Sequence, residues 1–265
     1  MANAVSIANP VKELLKAGKV ALGMNVRLAR SGDIARIAKS SGHDFIFIDI
    51  QHSLFNVETI GHIAQAALGC GVAPLVRVRS CDDPDTSLLL DNGVTGIVFP
   101  DIGTAAEAQR AVNRARFAPV GRRSVSGSYP IFDFRAVSTA DAVQALNDNT
   151  LVVCMIETVE GLQNIEEIAA VDGIDMMLVG SSDMTAEMGI PGQYEHPKVK
   201  DVFQRTIAAC RKHGKHVGVG GLSTRPDLIA QYVEMGARFV STGTDLAFLS
   251  GAATQKAQMV KALRK

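Results

Sequence analysis

The sequence predicts an α/β fold, a single (β/α)8 TIM barrel, on three observations. Eight short, apolar, β-branched runs alternate with amphipathic stretches from one end of the chain to the other. The chain has 265 residues, and a barrel of this kind takes about 250. No G-x-G-x-x-G follows the first apolar run, which removes the main competitor, a doubly wound open sheet around a dinucleotide.

The eight runs are ALGMNV (21–26), DFIFIDI (44–50), APLVRVR (73–79), GIVFP (96–100), LVVCMIET (151–158), DMMLVG (175–180), HVGVGG (216–221) and FVSTG (239–243). Their nearly continuous apolar character suits parallel strands covered on both faces. Helical patterns lie between them, among them 31–42, 57–71, 104–116 and 225–237, and several end in Gly at the usual C′ position. GVGGLS (218–223) is the nearest approach to a phosphate cradle, but it lacks the third glycine and reads as a tight strand-to-helix turn. The longest irregular stretch, FAPVGRRSVSGSYPIFDF (117–134), is of a length that is often functional or interface-forming. With no linker or low-complexity segment, residues 1–265 read as one domain.

Composition narrows the partners. Hydrophobic residues make up 47% and charged residues 20%, enough for a full core. Lys plus Arg and Asp plus Glu are 27 each, without a basic run, which argues against nucleic acid or an anionic membrane. Four cysteines (Cys70, Cys81, Cys154, Cys210) show no C-x-x-C pair and suit reduced thiols. The first residues carry no long apolar h-region, and no 18-residue apolar run occurs. The expectation is a soluble cytoplasmic protein.

In a TIM barrel the chemistry sits at the C-terminal ends of the strands. There the second strand ends in Asp49-Ile50-Gln51-His52, the third carries Arg77 and Arg79, the fifth ends in Glu157, and the sixth runs into Gly180-Ser181-Ser182-Asp183. Glu157 and Asp183 could hold a hard divalent cation, since magnesium, manganese and cobalt all accept carboxylate oxygens. They could equally be helix N-caps. His52 alone among six histidines stands just past a strand, which suits a general base, although a lone histidine is usually a hydrogen-bonded structural residue. Arg77 interrupts an apolar strand; it either pairs with Asp49 or holds a developing enolate oxygen. No lysine ends a strand, so Schiff-base chemistry has no nucleophile, and no G-x-S-x-G elbow supports acyl transfer.

Taken in order, FIDIQHS (47–53), PLVRV (74–78), LLDNG (89–93), PVGRRSV (119–125), MIET (155–158), 172–197 and FVSTGTDLAFLSGAA (239–253) resemble the metal-dependent (class II) pyruvate aldolases of the 4-hydroxy-2-oxoheptanedioate and 2-dehydro-3-deoxyglucarate aldolase family. The resemblance runs over nearly the whole chain and implies a barrel of the phosphoenolpyruvate/pyruvate-domain type. It implies His52 as base, Arg77 as the group polarising the carbonyl, and Glu157 and Asp183 as ligands of magnesium, manganese or cobalt. Asp91 would raise the basicity of His52, Asp49 would stand beside the metal waters, and the amides of Ser182 and Asp183 would hold the substrate carboxylate. Gln51 and Arg123 are expected near the substrate, with Arg123, Ser126 and Tyr129 choosing the aldehyde. Two positions depart from the family: Gln51 replaces the acidic residue of D-x-E-H, and Met155 replaces a glutamine before the metal glutamate.

The reaction implied is reversible retro-aldol cleavage of a 4-hydroxy-2-oxo acid to pyruvate, or a close analogue, and an aldehyde. The family also implies a hexamer, with the C-terminal helix (about 246–264) packed on a neighbour. The alternatives are a lyase of the citrate-lyase β-subunit type acting on an acyl-CoA, for which Arg122 and Arg123 are the only basic residues near the mouth, and a non-catalytic barrel that binds an organic acid.

Overall fold

The structure, a computed structural model, describes residues 7–261 and 263–264. A short helix α1 (Pro10–Lys16) precedes β1 (Ala21–Val26), α2 (Asp33–Ser40), β2 (Phe45–Asp49), α3 (Val57–Cys70), β3 (Ala73–Arg77), α4 (Thr86–Asp91), β4 (Gly96–Phe99) and α5 (Ala105–Ala115). After a 3-10 turn at Pro130–Phe132 come α6 (Thr139–Asn149), β5 (Leu151–Ile156), α7 (Val159–Gln163), α8 (Ile165–Ala169), β6 (Met176–Gly180) and α9 (Ser181–Glu187). The chain ends with α10 (Pro197–Lys212), β7 (His216–Gly220), α11 (Pro226–Met235), β8 (Phe239–Thr244) and α12 (Asp245–Lys261). The strands form a closed barrel in sequence order, and β8 returns to pair in parallel with β1.

All eight expected strands form, and several stop short of the apolar run that predicts them. β2 ends at Asp49, β3 at Arg77 and β5 at Ile156, so the polar residues beyond them turn into the rim. Helix boundaries follow local chemistry. The Asn56 side chain accepts from Thr59 N at the start of α3, Gly71 closes that helix at φ 72°, and Thr104 with Glu107 forms a capping box on α5.

Inside the barrel, Phe45 and Phe239 stack with ring centroids 4.1 Å apart. Gly23 on β1 makes the space: a Cβ there would lie inside van der Waals contact of the Phe45 ring. Below this layer α1 closes the bottom. Val11 and Leu15 join the inner core, Asn9 Nδ2 donates to the Asn149 carbonyl at 2.8 Å, and Lys12 Nζ pairs with Asp175 at 2.9 Å. The barrel is therefore open at the C-terminal ends of its strands and plugged at the other.

The long stretch 117–134 folds back as a small satellite core. Tyr129 meets Phe132 edge-on, both are buried with Phe117 and Leu146, and the Tyr129 hydroxyl accepts from Ser126 N. It does not reach the mouth of its own barrel. At the other extreme, α12 buries only Asp245 and leaves Leu246, Phe248, Leu249, Met259 and Val260 exposed.

The tight fit at Gly23 generates a stability prediction. Gly23→Ala forces the Phe45–Phe239 stack apart and should cost about 1–3 kcal/mol, the usual range for overpacking a core. Urea unfolding reads it as a lower midpoint; an unchanged midpoint would mean that the stack yields freely.

Candidate active site

Side chains of a barrel strand face the axis at every second residue, so each functional group caps an inward stripe. On β2 the stripe is Phe45, Phe47, Asp49; on β3 it is Ala73, Leu75, Arg77; on β5 it is Leu151, Val153, Met155, and then Glu157 just past the strand. β1 carries Gly23 and Asn25 and continues to Arg27. These stripes converge on one cavity of about 350 Å³ at the open end, lined also by His52, Ser182 and Asp183. No lysine lines it.

Asp49 organises one side. Its side chain is 1% exposed, and both oxygens accept from Arg77, Oδ1 from Nε at 3.0 Å and Oδ2 from a terminal nitrogen at 2.8 Å. Arg27 Nε stands 3.0 Å from the same Oδ2. Burial by itself would raise the Asp49 carboxyl, but Arg77 and Arg27 outweigh it and hold it below the usual carboxylate range. The carboxylate also accepts the backbone N–H groups of Gln51 and His52 at 3.2 and 3.3 Å. Asp49 thus acts as an anchor for two guanidiniums and for the turn that carries His52. The His52 ring is exposed at the mouth.

Glu157 stands across the mouth. It is 2% exposed; Oε1 accepts the Asp101 N–H at 2.9 Å, while Oε2 is buried without a hydrogen-bond partner among the described residues. Burial, reinforced by the charges of Asp101 and Asp183, pushes its carboxyl up to about 7. The neighbouring Gly180 leaves space for it, since a Cβ there would clash with the Glu157 carboxylate. Neither carboxylate acts as a helix cap. Thr158 caps α7, and Gly180 stands at the N-cap position of α9 with no side-chain cap, Asp183 lying in the first turn. An orphaned carboxylate oxygen beside a second carboxylate in a water-accessible mouth fits a hard divalent cation. Among the described residues no group of three or more His, Cys, Asp or Glu is placed to bind a metal, so protein ligation here would be by two carboxylates.

Other expected site residues lie elsewhere. Asp91 ends α4 on the outer layer, where its carboxylate pairs with Arg123 at 2.6 Å; it does not meet His52 within one chain. Arg123 has a side chain 1% exposed and lies over the Phe117 ring, so burial in the satellite core keeps it out of the mouth. Gln51 does not line the cavity and donates Nε2–H to Asp101 at 3.2 Å. Arg79 leaves the axis as β3 ends, and Asp83 and Asp85 hold it at the rim.

Two residues escape the sequence reading. Arg27 is the first residue after β1, and the period-two stripe Gly23, Asn25, Arg27 is the signal that finds it. Asp101, at φ 54°, holds a left-handed conformation while its N–H contacts Glu157. No sequence pattern announces that.

The protein-family model for HpcH/HpaI aldolase/citrate lyase matches residues 23–252. The chain is 35% identical over 255 residues to a 4-hydroxy-4-methyl-2-oxoglutarate aldolase of Chaetomium globosum, with 95% of each protein covered. It is 30% identical over 258 residues to a 2-keto-3-deoxy-L-rhamnonate aldolase of Escherichia coli, covering 96% of this chain and 94% of that one. The crystal structure of an HpcH/HpaI aldolase from Desulfitobacterium hafniense superposes with a TM-score of 0.89 at 31% identity, over 96% of this chain and 97% of that one.

The state of Glu157 makes stability depend on pH. The ordinary carboxyl titrates near 4.5 and the folded one near 7, so the folded state holds the proton more tightly. Below the lower value both states are protonated and nothing is lost; as pH rises through the window the folded state is penalised, by about 3 kcal/mol once above both values. In EDTA, Glu157→Gln should gain on the wild type between pH 5 and 8, read by urea unfolding. A gap that does not vary with pH would contradict this.

Proposed function

The chain belongs to the HpcH/HpaI aldolase/citrate lyase family, and from that membership we infer that it is a carbon–carbon lyase. It cleaves a 4-hydroxy-2-oxo acid reversibly to pyruvate, or a close analogue, and an aldehyde, in a divalent-metal-dependent reaction. The observation that carries the reading is the opposition, across one cavity, of Glu157, one of whose carboxylate oxygens has no partner among the described residues, and Asp183 to an Arg77 locked by Asp49.

Glu157 and Asp183 would hold the cation, and magnesium, manganese and cobalt all suit such ligands. When bound, the cation supplies Lewis-acid polarisation of the 2-oxo acid. The remaining work falls to the chain's own groups. The amides of Ser182 and Asp183, at the start of α9, would hold the carboxylate of the acid. Arg77 would meet the negative charge on the oxygen of the pyruvate enolate as the C3–C4 bond breaks. Its two bonds to Asp49 fix the guanidinium plane beforehand, so little reorganisation accompanies the reaction. His52, steadied through its backbone by Asp49, would take the proton of the C4 hydroxyl and return it in the synthetic direction.

A tuning role for Asp91 on His52 requires a second copy of the chain, since within one chain the carboxylate belongs to Arg123. The exposed apolar side chains of α12 support an oligomer, and a hexamer is the form the resemblance implies. No helix of the described residues is long and apolar enough to cross a membrane. A cytoplasmic location is proposed on the free, mostly buried cysteines.

Two outcomes test the reading. EDTA should abolish pyruvate release from a 4-hydroxy-2-oxo acid, and manganese, cobalt or magnesium should restore it; full activity without metal, or a borohydride-trapped lysine adduct, would refute it. Arg77→Ala should lower kcat on the order of 10²–10³, the usual loss for one preorganised donor, and Arg77→Lys should recover only part, because a point charge lacks the planar fork. A variant within a few-fold of wild type would reduce Arg77 to a structural ion pair.

A further inference from the structure

We propose that Arg27 determines acceptor specificity, binding a carboxylate attached to the acceptor's carbonyl carbon, so that the enzyme favours anionic 2-oxo acid acceptors over neutral aldehydes. The inference rests on the lyase reading above and names the substrate class that the same mouth selects.

Strand order supplies the first argument. The carboxylates for the cation stand after β5 and in α9 after β6, Arg77 ends β3, His52 follows β2, and Arg27 follows β1. A 4-hydroxy-2-oxo acid anchored at the β5–β6 side by its own carboxylate runs past Arg77 at the carbonyl and reaches His52 at the C4 hydroxyl. The next position around the rim is Arg27. A substituent on C4, which becomes the group beside the acceptor's carbonyl, therefore arrives at that guanidinium.

Charge supplies the second. Asp49 is a single carboxylate shared by two guanidiniums, and Arg27 has no other ion-pair partner among the described residues. One unit of positive charge is left over on this side of the cavity. Arg77 spends both Nε and a terminal nitrogen on Asp49, whereas Arg27 approaches Asp49 through Nε, has no hydrogen bond from its terminal nitrogens among the described residues, and lines the cavity. A planar fork with free N–H groups is suited to a carboxylate.

Rigidity supplies the third. The loop bearing Arg27 is clamped by Asp245 at the start of α12, whose oxygens accept from Arg27 N at 2.9 Å, Leu28 N at 3.0 Å and Ala29 N at 2.7 Å. Asp245 is buried. The clamp fixes the backbone from which the Arg27 side chain extends, and Asp49 meets its Nε, which lowers the ordering cost of binding. Asn25 and Ser241, joined by a 2.7 Å hydrogen bond, floor this part of the cavity with polar rather than apolar surface.

The test uses the manganese-loaded enzyme with pyruvate as donor and two acceptors matched in size, glyoxylate (anionic) and glycolaldehyde (neutral). The readout is the ratio of their kcat/KM values in wild type and variants, which cancels the intrinsic reactivity of each acceptor. Arg27→Ala should lower the glyoxylate-to-glycolaldehyde ratio about 10- to 100-fold, the worth of a charge-assisted hydrogen bond, with the loss mainly in KM for glyoxylate. Arg27→Lys should restore part of it and also serves if the alanine variant folds poorly. A role confined to steadying Asp49 would lower both acceptors together; an unchanged ratio in both variants overturns the proposal. A wild-type enzyme that adds pyruvate to neither acceptor overturns the lyase reading and this inference with it.

Discussion

A closed eight-stranded barrel admits side chains to its axis only at every second residue, and the rest of the molecule follows from that constraint. The lower inward positions are filled by Phe45, Leu75, Val153, Met176 and Phe239, with glycine where two rings must meet. α1 plugs the bottom, so the charged residues that end the stripes have one exit, the mouth. Polar groups from separate strands and loops, among them Arg27, His52, Arg77, Glu157 and Asp183, thereby line one cavity although they lie far apart in sequence.

Crowding charges into so small a space makes each one's partner decisive. Asp49 stays ionised although buried, because two guanidiniums answer it. Glu157 is buried with a backbone N–H on one oxygen only, and burial outweighs the Arg77 charge, so it holds a proton more tightly than an ordinary carboxylate. The two sides are therefore complementary: one is satisfied by the protein and carries surplus positive charge, the other is unsatisfied and awaits positive charge.

Much of this was legible in the sequence because barrels advertise themselves. Continuous apolar runs at regular spacing mark the strands, and polar residues at their ends mark the rim, which is how His52, Arg77, Glu157 and Asp183 are found. Long-range placement was not legible. Asp91 and Arg123 pair with each other outside the cavity lining, and the stretch 117–134 folds onto its own aromatic cluster of Phe117, Tyr129 and Phe132. Arg27 was hidden by a different cause: it follows the strand, and only the parity of Gly23 and Asn25 shows that it turns inward. Gln51 sits in the expected motif, yet its amide goes to Asp101, whose left-handed backbone could not be foreseen.

The central claim is a division of labour around the mouth, with His52 handling the C4 hydroxyl proton and the Glu157–Asp183 side with Arg77 stabilising the enolate. Proton NMR of pyruvate in D₂O, set beside coupled detection of aldol cleavage on the same His52→Ala sample, separates the two. The account predicts that cleavage falls by about 10²–10⁴, the usual worth of a positioned general base, while metal-dependent exchange of the pyruvate methyl protons falls far less. Cleavage at a near wild-type rate, or an equal collapse of both reactions, would contradict it.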